Sequence, residues 1–260
     1  MRTKWKGLIL CLSLAATVIA ARPSAAQGVM RQALQPEAEQ VLALANRARA
    51  AQGAGPLRWD PALAAAARQH CLRMAAEGPI SHRYGGEPDL SERAGQAGAH
   101  FSLIEENVAI GPTPAAIHDA WMHSPGHRSN LLNPDVDRVG VALVASRGVL
   151  YAVADYARAV DVLTPAQAEA TVAGLVHDRG LAILADRSDA RAYCAQGKGS
   201  RSMKQPGFRM LWQEADLSRL PQTLLDRIAS GRYSQAAVGS CPAQDMEGSF
   251  TAYRVAVLLY

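Results

Sequence analysis

Apolar residues recur at helical spacing in three segments of the first half of the chain. The first segment covers Pro36–Ala50. The second begins at Asp60-Pro61 and the third at Thr113-Pro114, in each case a capping side chain followed by a proline in the first helical position. Breaks that contain glycine and proline end the three segments, at 53–56, 78–79 and 124–126. The pattern predicts three helices.

The hydrophobic period changes to two after the third helix. Arg138–Ala145 and Val149–Ala157 alternate around Ser146-Arg147-Gly148, which predicts an antiparallel hairpin. The glycine-rich stretch 78–100 predicts an extended connection with a short helix around Asp89–Ala97. Helices around at least one antiparallel pair predict an α+β fold for this part of the chain.

The organisation starts again near residue 160. Pro165–His177 is helical in pattern, whereas Leu181–Ala185 and Ala252–Tyr260 are strand-like. We therefore predict two domains, 37–158 and 160–260, after a linker at 27–36. Short sequence similarities align Ala67–Cys71 with Ala190–Cys194, and Val139-Gly140 with Val238-Gly239. The second region is then a shortened, degenerate second copy of the first, or else an unrelated small α+β appendage.

The N-terminal segment has the pattern of a secretory signal peptide over residues 1–26. Arg2, Lys4 and Lys6 precede the apolar run Gly7–Ala20, and small residues allow cleavage after Ala26. A transmembrane anchor is the alternative, but fourteen residues span only about 21 Å, short of a bilayer core of about 30 Å. Lipid attachment at Cys11 is disfavoured because no small residue precedes it. We predict export, to the periplasm or the medium, without a transmembrane anchor in the mature chain.

Composition and charge exclude several classes of protein. Hydrophobic residues make up 49% and charged residues 19% of the chain, which is typical of a globular protein. The formal charge of +4 disappears with the signal peptide, because that segment contains four basic residues and no acidic one. No basic stripe remains, and aromatic residues are only 5% of the chain, so we predict no nucleic-acid partner.

Three cysteines follow the signal peptide, so one intrachain disulfide is the maximum. Cys71 lies with His70 on the apolar stripe of the second helix, where a core role is favoured for both side chains. Cys194 and Cys241 both lie in the last seventy residues of the chain. We therefore predict a disulfide between Cys194 and Cys241.

Titratable residues concentrate in three short segments: Ser81-His82-Arg83, Glu105–Ala109 and Trp121–Leu132. No HExxH, paired CxxC, GxSxG or phosphate-binding loop is present in the sequence, so four common enzyme and metal-site assignments have no support. By spacing alone, the three segments identify no chemistry.

The order of these segments and their residues resemble the CAP superfamily of cysteine-rich secretory, antigen 5 and pathogenesis-related proteins, in its bacterial secreted branch. The resemblance covers about residues 37–158. It rests on Leu44–Arg49, Leu57–Leu63, Ser81-His82, Glu106–Ala109, Trp121–Leu132 and Val139–Val141. No family is recognised for residues 160–260.

The resemblance implies an α-β-α sandwich in which His82, Glu106 and His127 meet in a cleft. Two imidazoles and a carboxylate are plausible ligands for a divalent metal ion. Plant and animal relatives place a second glutamate after Trp121, where this chain has Met122, His123 and Ser124. Fewer oxygen ligands favour zinc over calcium. His123 either substitutes as a ligand or points to solvent.

Three functions stay open after this comparison. We favour a secreted binding or interaction module for a metal, a small apolar ligand such as a lipid, or an envelope component, because no activated nucleophile is evident. The alternative is a metal-assisted hydrolase of envelope peptide or glycan, with Glu106 as the general base. In the third, residues 160–260 dock the first domain on a partner. Arg128 and Asn130 are expected to brace the loop beside the cleft.

Overall fold

The computed structural model describes residues 35–197, 205–244 and 248–260. The predicted signal peptide and all but the end of the predicted linker lie outside these residues. Residues 34–260 form one compact unit, and the boundary near residue 159 stays a prediction. Within the described part of the chain, no helix is long and apolar enough to cross a membrane.

The first half is a four-stranded sheet between two layers of helices. Its strands are β1 (Arg58–Trp59), β2 (Phe101–Gly111), β3 (Arg138–Ser146) and β4 (Val149–Ala159), in the order β1-β3-β4-β2. Its helices are α1 (Pro36–Ala51), α2 (Pro61–Glu77), α3 (Leu90–Gln96), α4 (Pro114–His123) and α5 (Pro125–Leu132). Helices α1, α4 and α5 pack on one face of the sheet, whereas α2 and α3 cover the other. The α+β prediction is confirmed.

Side-chain caps explain where several helices begin. Asp60 accepts hydrogen bonds from the backbone N–H groups of Ala62 and Leu63 at the start of α2. Thr113 caps α4, and Asp89 forms a reciprocal capping box with Glu92 at α3. These caps satisfy N–H groups that have no partner within the helix. The two helix starts predicted from capping residues, at Asp60 and Thr113, are therefore confirmed, and so is the short helix predicted around Asp89–Ala97.

Two elements differ from the sequence expectation. Ser124-Pro125-Gly126 ends α4 as predicted, but Pro125 also begins α5, because a proline fits the first turn of a helix. Glu105–Ala109, to which the sequence pattern assigned no helix or strand, lies within the eleven-residue strand β2. This strand pairs only with β4 and forms the edge of the sheet, where polar residues are tolerated.

The second half contains a second four-stranded sheet with the same strand order. Its strands are β5 (Ala182–Ile183), β6 (Phe208–Glu214), β7 (Gln235–Cys241) and β8 (Tyr253–Leu259), in the order β5-β7-β8-β6. Its helices are α6 (Pro165–His177), α7 (Ser188–Gln196) and α8 (Gln222–Ala229). In both sheets the first strand has two residues and pairs parallel, while the other pairs are antiparallel. The repeated order favours the second-copy interpretation over an unrelated appendage.

Two glycines fix how the halves correspond. A Cβ atom on Gly140 of β3 would lie 2.0 Å from the backbone nitrogen of Ala64 in α2, and one on Gly239 of β7 would lie 2.3 Å from that of Arg191 in α7. Ala64 therefore matches Arg191, and Cys194 matches Ala67. The sequence parallel that placed Cys71 against Cys194 was wrong by one helical turn.

The cysteines behave as the sequence suggested. A disulfide joins Cys194 of α7 to Cys241 of β7, with their Cα atoms 5.7 Å apart, which confirms the predicted pair. Cys71 is free and fully buried, and its thiol donates to the backbone oxygen of Tyr151. Burial raises the pKa of Cys71 to about 12, so the thiol stays protonated.

A buried arginine joins α1 to the segment that follows α5. Arg49 is fully buried, and its guanidinium donates four hydrogen bonds to backbone carbonyls, those of Gly55, Leu131, Asn133 and Val136. The carbonyl of Leu131 belongs to the last turn of α5, where it has no partner within the helix. Arg49 thereby fixes the C-terminal end of the helix that carries His127.

Candidate functional site

Glu106 is the centre of the candidate site. It lies on β2, on the sheet face that α2 covers, and its side chain is almost completely buried. A hydrogen bond of 2.8 Å joins its Oε1 to Nδ1 of His82. Its Oε2 accepts a hydrogen bond of 2.5 Å from Nη2 of Arg93. Both oxygens of this carboxylate are therefore engaged within the protein.

His82 lies on the connection between α2 and α3, and 60% of its side chain is exposed. The hydrogen bond to Glu106, which outweighs desolvation, raises the pKa of His82. In the neutral ring, a proton on Nδ1 that faces a carboxylate leaves the lone pair of Nε2 available. The contact with Glu106 thus favours the tautomer that binds a metal ion or accepts a proton through Nε2.

Arg93, on the short helix α3, connects the two residues. Besides its bond to Glu106, its Nη1 donates to the backbone oxygens of His82 (3.2 Å) and Pro88 (3.3 Å). The side chain is 3% exposed, so this charge is compensated mainly by Glu106 in a medium of low polarity. One buried guanidinium therefore fixes both the backbone at His82 and the carboxylate that orients its ring.

Asp155 lies beside Glu106, because the two residues are paired in the β2–β4 register. Asp155 is completely buried, and neither of its carboxyl oxygens has a hydrogen-bond partner. Burial, followed by the negative charge of Glu106, raises the pKa of Asp155 well above its usual range. The buried carboxyl group of Asp155 thus favours its neutral form beside Glu106.

His127 lies in the first turn of α5 and is partly buried. Desolvation, followed by the charge of His82, lowers the pKa of His127, so this imidazole is neutral near pH 7. Asn107 donates to the backbone oxygen of His127 (2.9 Å), and Asn130 donates to the side-chain oxygen of Asn107 (3.0 Å). These bonds attach α5 to β2 next to Glu106.

A second buried contact between a histidine and a carboxylate supports the loop that carries His82. Nδ1 of His70 is 2.8 Å from Oε1 of Glu87, and its Nε2 is 2.8 Å from the backbone oxygen of Ser81. Each ring nitrogen therefore faces an oxygen that can accept a hydrogen bond. His70 is a core residue, as predicted, and it also fixes the position of the residue before His82.

The remaining predicted residues lie at the edge of this arrangement. Asn130 donates to the backbone oxygen of Glu106 (3.2 Å) in addition to Asn107. Arg128 is exposed and lines a shallow surface pocket with His123 and Pro125. His123 is 78% exposed and bonds to the backbone oxygen of Asp119, so its side chain points to solvent. The structure thus places Asn130, but neither Arg128 nor His123, in the network around Glu106.

Sequence reasoning missed Arg93, Asp155, Asn107 and Glu87. Arg93 and Glu87 lie in the glycine-rich stretch that was predicted to be mainly an extended connection. Asp155 interrupts an apolar strand, and a charged residue in such a run was the one available signal. A buried role for Asn107 depends on the β2–β4 pairing, which the sequence pattern did not indicate.

Among the described residues, no group of three or more His, Cys, Asp or Glu side chains is arranged to hold a metal ion. Because both oxygens of Glu106 are engaged, the imidazoles of His82 and His127 are the side chains of this site that could hold a metal ion. Glu106 then corresponds to the carboxylate that commonly supports a metal-binding histidine. Two nitrogen donors with open remaining positions fit zinc better than calcium.

A wide cavity of about 1410 Å³ lies away from these residues, where the two halves meet. Charged side chains of both signs line it, among them Arg58, Arg158, Glu214 and Asp216. The residues of the Glu106 network do not line this cavity. Its polar lining gives no support to an apolar ligand there.

Comparison with known proteins assigns the first half to a family. Residues 42–156 match the family model described as the cysteine-rich secretory protein family, CAP. The chain is 34% identical over 115 residues to the uncharacterized protein YkwD of Bacillus subtilis, a match that covers 43% of this chain and 44% of that protein. It is also 34% identical over 110 residues to the uncharacterized membrane protein YlbC of the same organism, with 40% and 31% covered. The chain therefore contains a CAP superfamily domain, and it spans less than half the length of these two relatives.

Two solved structures are each similar to slightly less than half of the chain. An outer surface protein of Borrelia burgdorferi covers 47% of this chain and 92% of its own, with 20% identity and a TM-score of 0.45. An extracellular protein with an SCP domain from Bacillus anthracis covers 46% of this chain and 39% of its own, with 27% identity and a TM-score of 0.43.

Proposed function

We propose that this chain is an exported CAP-domain protein that binds a divalent metal ion, zinc in preference to calcium, through His82 and His127. The observation that carries the proposal is the chain of contacts from Arg93 through Glu106 to Nδ1 of His82. These contacts orient the imidazole ring of His82 and raise the basicity of its free nitrogen, Nε2, as carboxylates do in known metal sites.

The two imidazoles differ in a way that suits metal binding. His127 is neutral near pH 7 because desolvation lowers its pKa, so it needs no proton release to become a ligand. His82 must lose a proton, because the bond to Glu106 raises its pKa. Metal binding should therefore release a proton from His82 and weaken as the pH falls. A bound zinc ion would supply a Lewis acid with positions open to an external ligand.

The contacts favour binding over hydrolysis. Glu106 was the candidate general base, but hydrogen bonds to His82 and Arg93 occupy both of its oxygens. Cys71 is no nucleophile, because burial raises the pKa of its thiol to about 12. We therefore propose a binding module whose metal takes a ligand from the cell envelope, and the hydrolase stays an alternative without a supporting contact.

Export rests on two features in this proposal. A disulfide persists in oxidising compartments, and the chain has the Cys194–Cys241 bond. The predicted signal peptide at 1–26 agrees with this location, although it lies outside the described residues. Periplasm and medium both satisfy these features.

The test is the metal content and metal affinity of the mature protein. Elemental analysis after equilibration with zinc should give one equivalent for the wild type, and calorimetry should show weaker binding of calcium. His82→Ala and His127→Ala should each lose the metal. His123→Ala is the matched control, because this exposed histidine lies on α4 outside the network, and it should bind zinc like the wild type. Zinc bound equally by all four proteins, or by none, would overturn the proposal.

A further inference from the structure

The second half contacts the cleft through α3, the helix that carries Arg93. Phe250 packs on the fully buried Phe101 at the start of β2, with ring centroids 5.2 Å apart in an edge-to-face arrangement. The backbone N–H of Thr251 donates to the backbone oxygen of Phe101 (2.8 Å). Phe250 also completes the apolar cluster that includes Ala94 of α3. The core of the first half is therefore closed on this side by residues of the second half.

Helix α3 also lies close to Ser249. A Cβ atom placed on Gly95 would lie 2.2 Å from Cβ and 2.4 Å from Oγ of Ser249. The side chain of Ser249 therefore packs directly on the backbone of Gly95, where no larger residue fits without a shift. Gly95 is two residues after Arg93, in a helix of only seven residues. A displacement of the segment must therefore move α3 as a whole.

Movement of α3 changes the candidate site directly. Arg93 donates both to Glu106 and to the backbone oxygen of His82, so it defines the relative position of these residues. A helix of seven residues gains little stability from its own hydrogen bonds, so its position depends on tertiary packing. Ala94 packs on Leu63 and Ala66 of α2, and the contact with Ser249 and Phe250 adds to this packing from the second half.

We infer that the segment Ser249–Thr251 of the second half is a positioning element for the cleft: it holds α3 in place and thereby sets the geometry of Arg93, Glu106 and His82. The second half then acts on the site without contributing a ligand to it. The inference rests on the proposed function only where metal affinity is measured, since the geometry of His82 and Glu106 exists without a metal.

The test uses Gly95→Ala, which places a methyl group against Ser249. Alanine favours a helix by about 1 kcal/mol over glycine, so a weaker zinc affinity cannot result from a less stable α3. NMR signals of the His82 ring and the Glu106 amide should shift in the metal-free protein. Zinc should bind about tenfold more weakly, because disturbing a carboxylate that supports a metal-binding histidine commonly lowers metal affinity by this much. Gly174→Ala in α6, where no atom lies within 4 Å of the new methyl group, is the matched control and should leave both readouts unchanged.

A compensating change gives the decisive comparison. Ser249→Gly removes the two atoms that the new methyl group would meet and leaves the Ser249 Cα at an ordinary 3.6 Å. The double variant Gly95→Ala/Ser249→Gly should therefore recover the His82 and Glu106 signals and the zinc affinity of the wild type. A double variant as perturbed as Gly95→Ala would overturn the inference.

A second pair of variants separates positioning from general stability. Phe250→Ala should perturb the His82 and Glu106 signals, whereas Leu224→Ala, in the core of the second half, should lower the melting temperature and leave them unchanged. Equal effects of both variants on these signals would overturn the inference. If the wild type binds no zinc, the proposed function fails, while the metal-free NMR comparison still decides the positioning role.

Discussion

The two sheets share one topology, but the buried carboxyl pair of the first sheet has no counterpart at the matching positions of the second. In the first sheet Gly140 is paired with Asp155, which is paired with Glu106. In the second, Gly239 is paired with Ala256, which is paired with Leu211. Two buried carboxyl groups in one half thus correspond to two apolar side chains in the other. The same arrangement of strands therefore forms with the buried carboxyl pair in one half and without it in the other.

The halves also differ in how they join helix to sheet. Ala67 of α2 and Ala142 of β3 pack in the same apolar cluster of the first half. The glycine correspondence matches them to Cys194 and Cys241, which form the disulfide. The second half has fewer helices among the described residues and so less apolar surface to bury. A covalent link there replaces a contact that packing alone maintains in the larger half.

The disulfide should give the largest difference between the halves. Replacing Cys194 and Cys241 by alanine should lower the free energy of unfolding by about 4 kcal/mol, because the bond closes a loop of 47 residues. Urea unfolding followed by hydrogen exchange should show the loss in the second half. Cys71→Ala, in the first half, is the control and should cost about 1 kcal/mol. An equal loss of protection in both sheets would contradict the comparison.

Replacing Glu169 should give the next largest change in the free energy of unfolding. This buried carboxylate accepts two hydrogen bonds from Arg191, one from Arg187 and one from the backbone of Ser240. The bonds to Arg191, acting against desolvation, lower the pKa of Glu169 to about 2. Its folded pKa lies below the unfolded value, so its stabilisation is complete above about pH 4.5 and is lost as the pH falls through about 2.

Glu169→Gln tests this expectation. Because Arg191 is half exposed, solvent screening should limit the loss at pH 7 to about 2 kcal/mol. Melting temperatures of the variant and the wild type should differ at pH 7 and converge near pH 2. A difference that is the same at both pH values would show that the charge of Glu169 contributes nothing.

Asp155→Ala introduces the residue that lies at the matching position of the second sheet, Ala256. Its pH-dependent effect on the free energy of unfolding should have the opposite sign to that of Glu169→Gln. The pKa of Asp155 is raised in the folded state, so its contribution does not change with pH below the unfolded pKa and becomes more destabilising as the pH rises above about 4. The free energy of unfolding should shift in favour of the variant between pH 4 and pH 7, by up to about 1.4 kcal/mol for each pH unit over which the folded side chain stays protonated. The exposed Asp119→Ala should show no such drift. A constant difference would mean that Asp155 is ionised in both states.

Cys71 should give the smallest effect. Its raised pKa and full burial predict no alkylation of the folded protein at pH 8 and one labelled thiol after unfolding. Mass spectrometry after timed exposure to iodoacetamide measures this, with the unfolded chain as control. Rapid labelling of the folded state would show that α2 opens away from the sheet.

Local signals predicted the fold better than the site. The starts of α2, α3 and α4 depend on a capping side chain and its neighbours, which lie next to each other in the sequence. Strand β2 was missed because Glu105 and Glu106 interrupt its apolar pattern. The buried Glu106 is compensated by His82 and Arg93, which are distant in the sequence. Helix α5 was missed because Pro125 ends one helix and begins the next.

The site required contacts between distant parts of the chain. His82, Glu106 and His127 were identified by resemblance, and their ligand roles stay predictions. Arg93 was not, because its role depends on where α3 packs. The disulfide could be predicted because only three cysteines follow the signal peptide, and one of them lies on a helical stripe. Pairing two of three candidates needs far less information than placing a guanidinium against a carboxylate.

The guanidinium of Arg49 has a consequence for behaviour in acid. Its four partners are carbonyl dipoles, which do not titrate, whereas Arg93 depends on the carboxylate of Glu106. Protonation of every carboxyl group would therefore weaken the contact of Arg93 with Glu106 and leave α1 joined to α5. Acid should loosen the molecule more on one side than on the other, so that His82 loses its carboxylate partner while His127 stays on a helix that is still attached.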